Sequence, residues 1–386
     1  MGAAGTRHRL TWPGAASLAL VGTLVLWVAR EAGAQVGRPA ADTTRGSGSG
    51  EQAAHRRRLF PVPVLGYAPE TSLLFGVALV GVVSADPAGP ATRPTTALLT
   101  AVYTLKRQYQ LELMLDHWSV GDRWHAAADV IVERFPSLFH GIGATATDTS
   151  EVYTPQRLAL TISAQRRVAG HVFVGAGYAI RHSRMAETET GGRLAPGTIP
   201  GSRGGTEAQV SAEGVVDTRD VLYRTQRGAF LRVAYGVAGP ALGGTHAFRR
   251  YTADARAYRR VGGTVVIAGQ AIVDATDGTV PFDLLPHLGG SGILRGFTVP
   301  RFTDGAMGAG QLEVRAPLKG IVSWVVFGGA GAVAPSARGL VDARLRAAGG
   351  GGIRLLLDRR EGLQIRLDYA VARGGGGFYI AAGDAF

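Results

Sequence analysis

At 386 residues, with 57 glycines, 46% hydrophobic residues and no cysteine, the chain has the length of one large β domain or two average ones. The glycine excess and the many short apolar runs argue against a helical bundle, and the missing cysteines exclude thiol chemistry and Cys-ligated metal. The formal charge of +12 comes almost entirely from arginines scattered singly, with Lys106 and Lys319 the only lysines; such scatter points away from nucleic acid and toward anionic lipid headgroups meeting charges at strand ends.

The N-terminus carries Arg7 and Arg9, an apolar run from Ala15 to Ala29, then Ala32-Gly33-Ala34 before Gln35. This is the charged, apolar, small-residue order of a secretory signal peptide over 1–34, with cleavage expected after Ala34. The apolar run is too short for a membrane anchor. Residues 35–58, through Gly46-Ser47-Gly48-Ser49-Gly50 and His55-Arg56-Arg57-Arg58, read as a flexible linker with a basic end. A folded periplasmic domain does not fit in that length.

From residue 59 to 386 the pattern alternates with period two. Tyr109, Leu111, Leu113 and Leu115 face away from Gln110, Glu112, Met114 and Asp116, and the same alternation recurs at 124–133, 158–162, 208–213 and 363–369. Repeated strands with one apolar and one charged face fit a water-facing sandwich or a transmembrane barrel whose lumen takes the charges. The signal peptide, and a last strand carrying Phe378 and Ile380 with Phe386 closing the chain, favour the barrel. Only closure removes unpaired backbone from lipid.

Connection lengths give the topology, because such barrels have short periplasmic turns and long extracellular loops. Counting back from a periplasmic Phe386, the long connections are 335–346, 274–308, 238–247, 183–203 and 136–153. The short ones are 358–362, 317–321, 259–263, 167–170 and 118–122, with a longer turn from Asp217 to Gly228. Sixteen strands result: the first over 60–67, the second over 72–83, the fifth over 123–135. The periplasmic connection 84–96 is long for its place. Pro61 and Pro63 make the first strand a poor ladder partner, so its seam with the sixteenth is expected to be weak.

The densest motif is Leu288-Gly289-Gly290-Ser291-Gly292-Ile293-Leu294-Arg295-Gly296-Phe297, a Gly-rich loop with one arginine, followed by the strand Gln311-Leu312-Glu313-Val314-Arg315. An arginine buried in such a loop needs a carboxylate. With Gly66-Tyr67-Ala68-Pro69-Glu70-Thr71, the aromatic segment Phe135 to Gly143, and the turn Asp217-Thr218-Arg219-Asp220 followed by Gly228, these motifs stand in the order that resembles the BamA/TamA family of outer-membrane proteins, also called bacterial surface antigens. The resemblance spans about residues 60–386 and implies an all-β, sixteen-stranded antiparallel barrel in the outer membrane of a diderm bacterium, with its sixth extracellular loop folded into the lumen. It also implies that Arg295 locks that loop to the inner wall, flanked by Leu294, Gly296 and Phe297. The family's usual acid falls at Gly329 here, so the expected partners are Glu313, Asp368 or Asp358. The POTRA repeats that receive client chains in assembly factors have no counterpart in the residues before 59.

Two functions follow. One is insertion or translocation of proteins or lipids through a seam between the first and last strands, whose free edges would template an incoming strand. The other is a pore or structural barrel without insertase activity. Outer-membrane lipids are the expected partners of either. The first would add unfolded outer-membrane proteins or a separate periplasmic or lipoprotein partner. An enzyme is not expected, because His140, His171, His182 and His246 show no nucleophile, base and orienter spacing. No cofactor or metal is expected. Asp217, Arg219 and Asp220 read as a charged turn with internal pairing, and Gly349-Gly350-Gly351-Gly352 as a loop or a thinned strand, lacking the strand-loop-helix context of a phosphate site.

Overall fold

In a computed structural model, the described residues are 57–68, 72–83, 92–143, 146, 149–222, 224–297, 300–357 and 362–386. The expected signal peptide and most of the expected linker, with the 69–71 part of the opening motif, lie outside them. So does Asp358.

Sixteen long strands run through the described chain. They are β1 Arg57–Ala68, β2 Ser72–Val83, β3 Thr95–Thr104, β4 Tyr109–Trp118, β5 Trp124–Arg134, β6 Glu151–Ala169, β7 Val172–Thr188 and β8 Gly204–Asp217. The second half comprises β9 Gly228–Ala238, β10 Phe248–Val261, β11 Val265–Gly278, β12 Ala306–Lys319, β13 Val322–Ala334, β14 Arg346–Leu356, β15 Gln364–Ala372 and β16 Gly375–Ala382. Each pairs antiparallel with the next, from β1 through β16. The architecture is a transmembrane β-barrel.

One boundary differs from the sequence reading. Arg57 and Arg58, taken as the end of a linker, open β1 opposite Val83 and Val82. Backbone pairing, which depends on the partner strand, overrides the polar composition there. Of the two readings of Gly349–Gly352, a loop or a thinned strand, the structure shows the strand: the run lies inside β14, opposite Phe327 and Gly328 on one side and Tyr369 and Asp368 on the other.

Alternation along each strand separates a lipid face from a luminal face. In β10, Tyr251, Ala253, Ala255 and Ala257 point outward while Arg250, Asp254, Arg256 and Tyr258 point in. In β11 and β12 the outward row includes Ile267, Val273, Leu312 and Val314, all exposed, against buried Gln270, Asp274, Gln311, Glu313 and Arg315. Charges outside sit at strand ends, as with Arg249 and Arg259 flanking the apolar stretch of β10. The luminal charges are spread unevenly, with mixed signs on several strands. Glu112, Asp116, Asp129 and Glu133 stand on the inner face of β4 and β5, whereas Arg315, Arg354 and Arg366 stand on that of β12, β14 and β15 beside Glu313 and Asp368.

The long connections lie at one end. Phe139, Tyr153, Leu194 and Phe282 pack there, with Phe282 edge-on to Phe139 at 5.2 Å and to Tyr153 at 5.1 Å. Asp283 accepts hydrogen bonds from Arg157 at 3.1 Å and from Arg181 at 2.9 and 3.1 Å, and the Phe282 amide donates to the Pro200 carbonyl at 2.9 Å. The 135–150, 189–203 and 279–305 connections are thereby joined.

Candidate functional site

The 279–305 connection, the sixth of the long-loop end, turns inward. Its short strands His287–Leu288 and Phe302–Thr303 pair with each other and hold the loop's two arms together. Leu288, Leu294 and Phe297 form a buried cluster with Met307 of β12, and Ile272 of β11, Val333 of β13, Ala348 of β14 and Ala372 of β15 pack around it. This apolar anchor places Arg295 against the inner wall.

Arg295 is 1% exposed. Its Nη1 donates to Asp368 Oδ2 at 2.5 Å, and its Nη2 donates to Glu313 Oε1. The guanidinium carbon lies 3.5 Å from the centroid of the Phe327 ring, so a π face covers the cation where no acid does. Glu313 also accepts from Arg315 Nε at 2.8 Å, and Asp368 from Arg354 Nη1 at 2.5 Å, with Arg366 Nη1 at 3.5 Å. The Gly296 amide donates to the Tyr379 hydroxyl at 2.9 Å, and that hydroxyl donates to the Phe297 carbonyl at 3.3 Å, tying the loop to β16. Gln311 Nε2 donates to the Gly292 carbonyl at 2.7 Å. Leu294 and Gly296 both have positive φ, +54° and +117°, which turn the Arg295 side chain toward the wall. One loop is thus fixed to β12, β15 and β16 at once.

Two of the three expected acids, Glu313 and Asp368, meet Arg295, and the described residues do not include the third. The sequence reading missed Phe327, Tyr379 and Arg354, and with them the reason for the glycines of β14. A Cβ on Gly350 would meet the Phe327 ring and the Tyr369 carbonyl, and one on Gly352 would meet the Asp368 carboxylate. The signal was present as the bare wall Gly349–Gly352 opposite Phe327 and Asp368.

The 217–228 turn lies at the opposite end. Asp217 accepts from the Arg219 amide at 3.1 Å, Arg219 Nε at 2.9 Å and Nη2 at 2.8 Å, and from Arg93 Nη1 at 2.7 Å. Thr218 closes on Ala229 through paired bonds, and Asp220 Oδ1 caps the amides of Val221 and Gln226 at 2.9 Å each. Gly228 has φ +104°. Arg93, which the motif reading did not single out, also has its amide on Asp122 Oδ1 at 2.8 Å and its guanidinium 4.6 Å from the Trp118 ring centroid. It joins the end of the long 84–94 connection to two neighbouring turns.

At β16, Phe378 and Ile380 point outward, 65% and 54% exposed. Phe386 departs from that row. After Gly383, whose φ is +75°, the chain bends inward and Phe386 packs on Tyr258 and Ala268 while its carbonyl accepts from Arg315 Nη2 at 3.3 Å. Alternation alone would have kept it on the lipid side. Among the histidines, His246 Nδ1 lies 2.5 Å from Glu207 and His182 Nδ1 lies 2.9 Å from Thr206 Oγ1, in separate places.

The chain matches the Omp85 superfamily domain over residues 93–386. Among solved structures it is similar to BamA from Haemophilus ducreyi lacking POTRA domains 1-3, with 15% identity and a TM-score of 0.55, covering 86% of this chain and 70% of that one. CdiB from Escherichia coli is similar at 10% identity and a TM-score of 0.56, covering 85% of this chain. CdiB from Acinetobacter baumannii is similar at 9% identity and a TM-score of 0.51, covering 84% of this chain. The chain spans 60% and 59% of these two CdiB chains, respectively. No curated protein sequence matches.

Proposed function

The chain belongs to the Omp85 superfamily, and from that membership we propose that it sits in the outer membrane of a diderm bacterium and inserts or translocates polypeptides or lipids there through a seam between β1 and β16. The observation that carries this reading is the buried Arg295 anchor, which braces β12 and β15 while the bond from Gly296 to Tyr379 reaches β16, the strand at the seam. A loop clamped beside a seam can hold the barrel rigid while its edge strands part.

The seam strands themselves support opening. Pro61 and Pro63 lack N–H donors, and as alternate residues of β1 they point to the same side of it. Proline is tolerated on edges and not within a ladder, so the missing donors belong on the side away from β2, whose register with β1 is continuous over both prolines. On the other strand, Gly375, Gly376 and Gly377 carry no side chains to pack across the gap. Freed edges would pair with an incoming strand by backbone hydrogen bonds, and the outward Phe378 and Ile380 would face lipid beside it. The partners on this reading are outer-membrane lipids and an unfolded client, delivered by a separate periplasmic or lipoprotein component.

The test uses the absence of native cysteine. Single cysteines at Val62 or Val64 are combined with single cysteines at positions 376–380, leaving Tyr379 intact, and oxidised in proteoliposomes. Oxidation is expected to reduce insertion of an unfolded barrel client at least tenfold, with recovery on reduction. Full insertion activity in the cross-linked barrel would sink the seam mechanism and leave a closed pore or structural barrel as the better account.

A further inference from the structure

A cavity of about 260 Å³ opens at the short-turn end of the barrel, between the 217–228 turn, the hairpin joining β10 to β11, and the ends of β12, β14 and β15. Arginines from four separate elements line it: Arg224 of the turn, Arg260 of β10, Arg315 of β12 and Arg354 of β14. The one carboxylate in its wall is Asp384.

That carboxylate is already committed. Asp384 Oδ2 accepts from Arg315 Nη1 at 2.7 Å, and its Oδ1 accepts from Gln364 Nε2 at 2.6 Å and lies 3.4 Å from Arg354 Nε. Arg315 is fully engaged by Glu313, Asp384 and the Phe386 carbonyl. Arg354 is not: it is 2% exposed, its Nη1 is taken by Asp368 and the Ile353 carbonyl, and its Nη2 has no hydrogen-bond partner. Arg224 and Arg260 form no ion pair among the described residues. Among the described residues, the arginines 224, 260, 295, 315, 354 and 366 of this cavity and the adjoining Arg295 network stand against the side-chain carboxylates of Glu313, Asp368 and Asp384. Positive charge is left in excess among these residues, and a buried guanidinium nitrogen without an acceptor, as at Arg354 Nη2, is costly.

We infer that this cavity is a binding site for a phosphoryl oxyanion, the phosphate of a lipid headgroup or free phosphate, held by Arg224, Arg260 and Arg354. A dianionic phosphate matches the excess charge better than one carboxylate does. The planar forks of arginine offer it paired donors from several directions. Thr225 and Gln226 add polar groups to the same wall.

The experiment measures binding of inorganic phosphate to the purified full-length barrel by calorimetry, at ionic strength matched with sodium chloride so that screening is constant. The comparison is with the double variant Arg224→Gln and Arg260→Gln, which leaves the Arg295 network intact. Saturable phosphate binding by the wild type, weakened at least tenfold in the variant, is the expected result. Absent binding, equal binding by the variant, or an equal response to acetate would overturn the assignment. Should the double variant fail to fold, Arg260→Lys keeps the charge and loses the fork. It is expected to weaken phosphate binding several-fold, and unchanged affinity would overturn the proposal. Native mass spectrometry from phosphatidylglycerol nanodiscs then separates the sources: lipid retained by the wild type and lost in the variant assigns a headgroup, and phosphate binding without retained lipid assigns free phosphate.

Discussion

At the scale of the residue, the molecule turns on the environment of one guanidinium. Arg295 has a carboxylate on each side and an aromatic face, and each of its acids has a second arginine. Truncation to alanine would leave Glu313 and Asp368 paired with Arg315 and Arg354, so the loss falls short of a fully orphaned charge, at about 3 kcal/mol. The expected outcome for Arg295→Ala is a lower temperature for the heat-induced mobility shift of the folded barrel, and an unchanged shift would remove Arg295 from any anchoring role. The acids were legible because alternation puts Glu313 and Asp368 on luminal faces. Phe327 and Tyr379 were not, because nothing in a strand's own pattern says which loop residue will lie over it. Gly350 and Gly352 carry that information only once the registers between β13, β14 and β15 are known.

At the scale of the element, loops and turns divide the work between the two ends. The sixth loop is held by a two-residue strand pair, an apolar cluster and the Asp283 contacts, three attachments spread along its length. The 217–228 turn is instead organised from within, with Arg93 as its link to the 84–94 connection. For Arg93→Ala, Asp217 keeps Arg219, so the expected cost is that of the lost charge-assisted bonding to Asp217 and of the Trp118 contact, about 2 to 3 kcal/mol, felt locally. Trypsin cleavage after Arg224 or Arg227 in the folded barrel should accelerate several-fold; an unaltered cleavage rate would show that the turn holds without the clasp. The long 84–96 connection looked out of place by length alone. Its described end is anchored by charges that belong to two other turns, a relation across 29 and 124 positions that spacing does not reveal.

At the scale of the whole molecule, the strand count and the order of long and short connections were readable because a two-residue period repeats over some 320 positions and lipid enforces it. Where lipid stops enforcing it, the period carries no information: Phe386, beyond the last strand, folds into the lumen. The same constraint makes the outer face testable. Leu312, at the middle of β12, is 63% exposed and faces lipid, so Leu312→Arg should destabilise the folded barrel in bilayers by about 2 to 4 kcal/mol. Equilibrium unfolding in urea with phospholipid vesicles would measure it, and a neutral effect would mean that this face is not in hydrocarbon.

The uneven spread of luminal charge has a physical result of its own. With four carboxylates on the inner face of β4 and β5, and arginines outnumbering Glu313 and Asp368 by one on that of β12, β14 and β15, these groups add a field component directed across the barrel. An extended chain inside would experience a torque about its own length, its basic side chains drawn to one wall and its acidic ones to the other. The lumen would orient such a chain rotationally before any contact specific to its sequence was made.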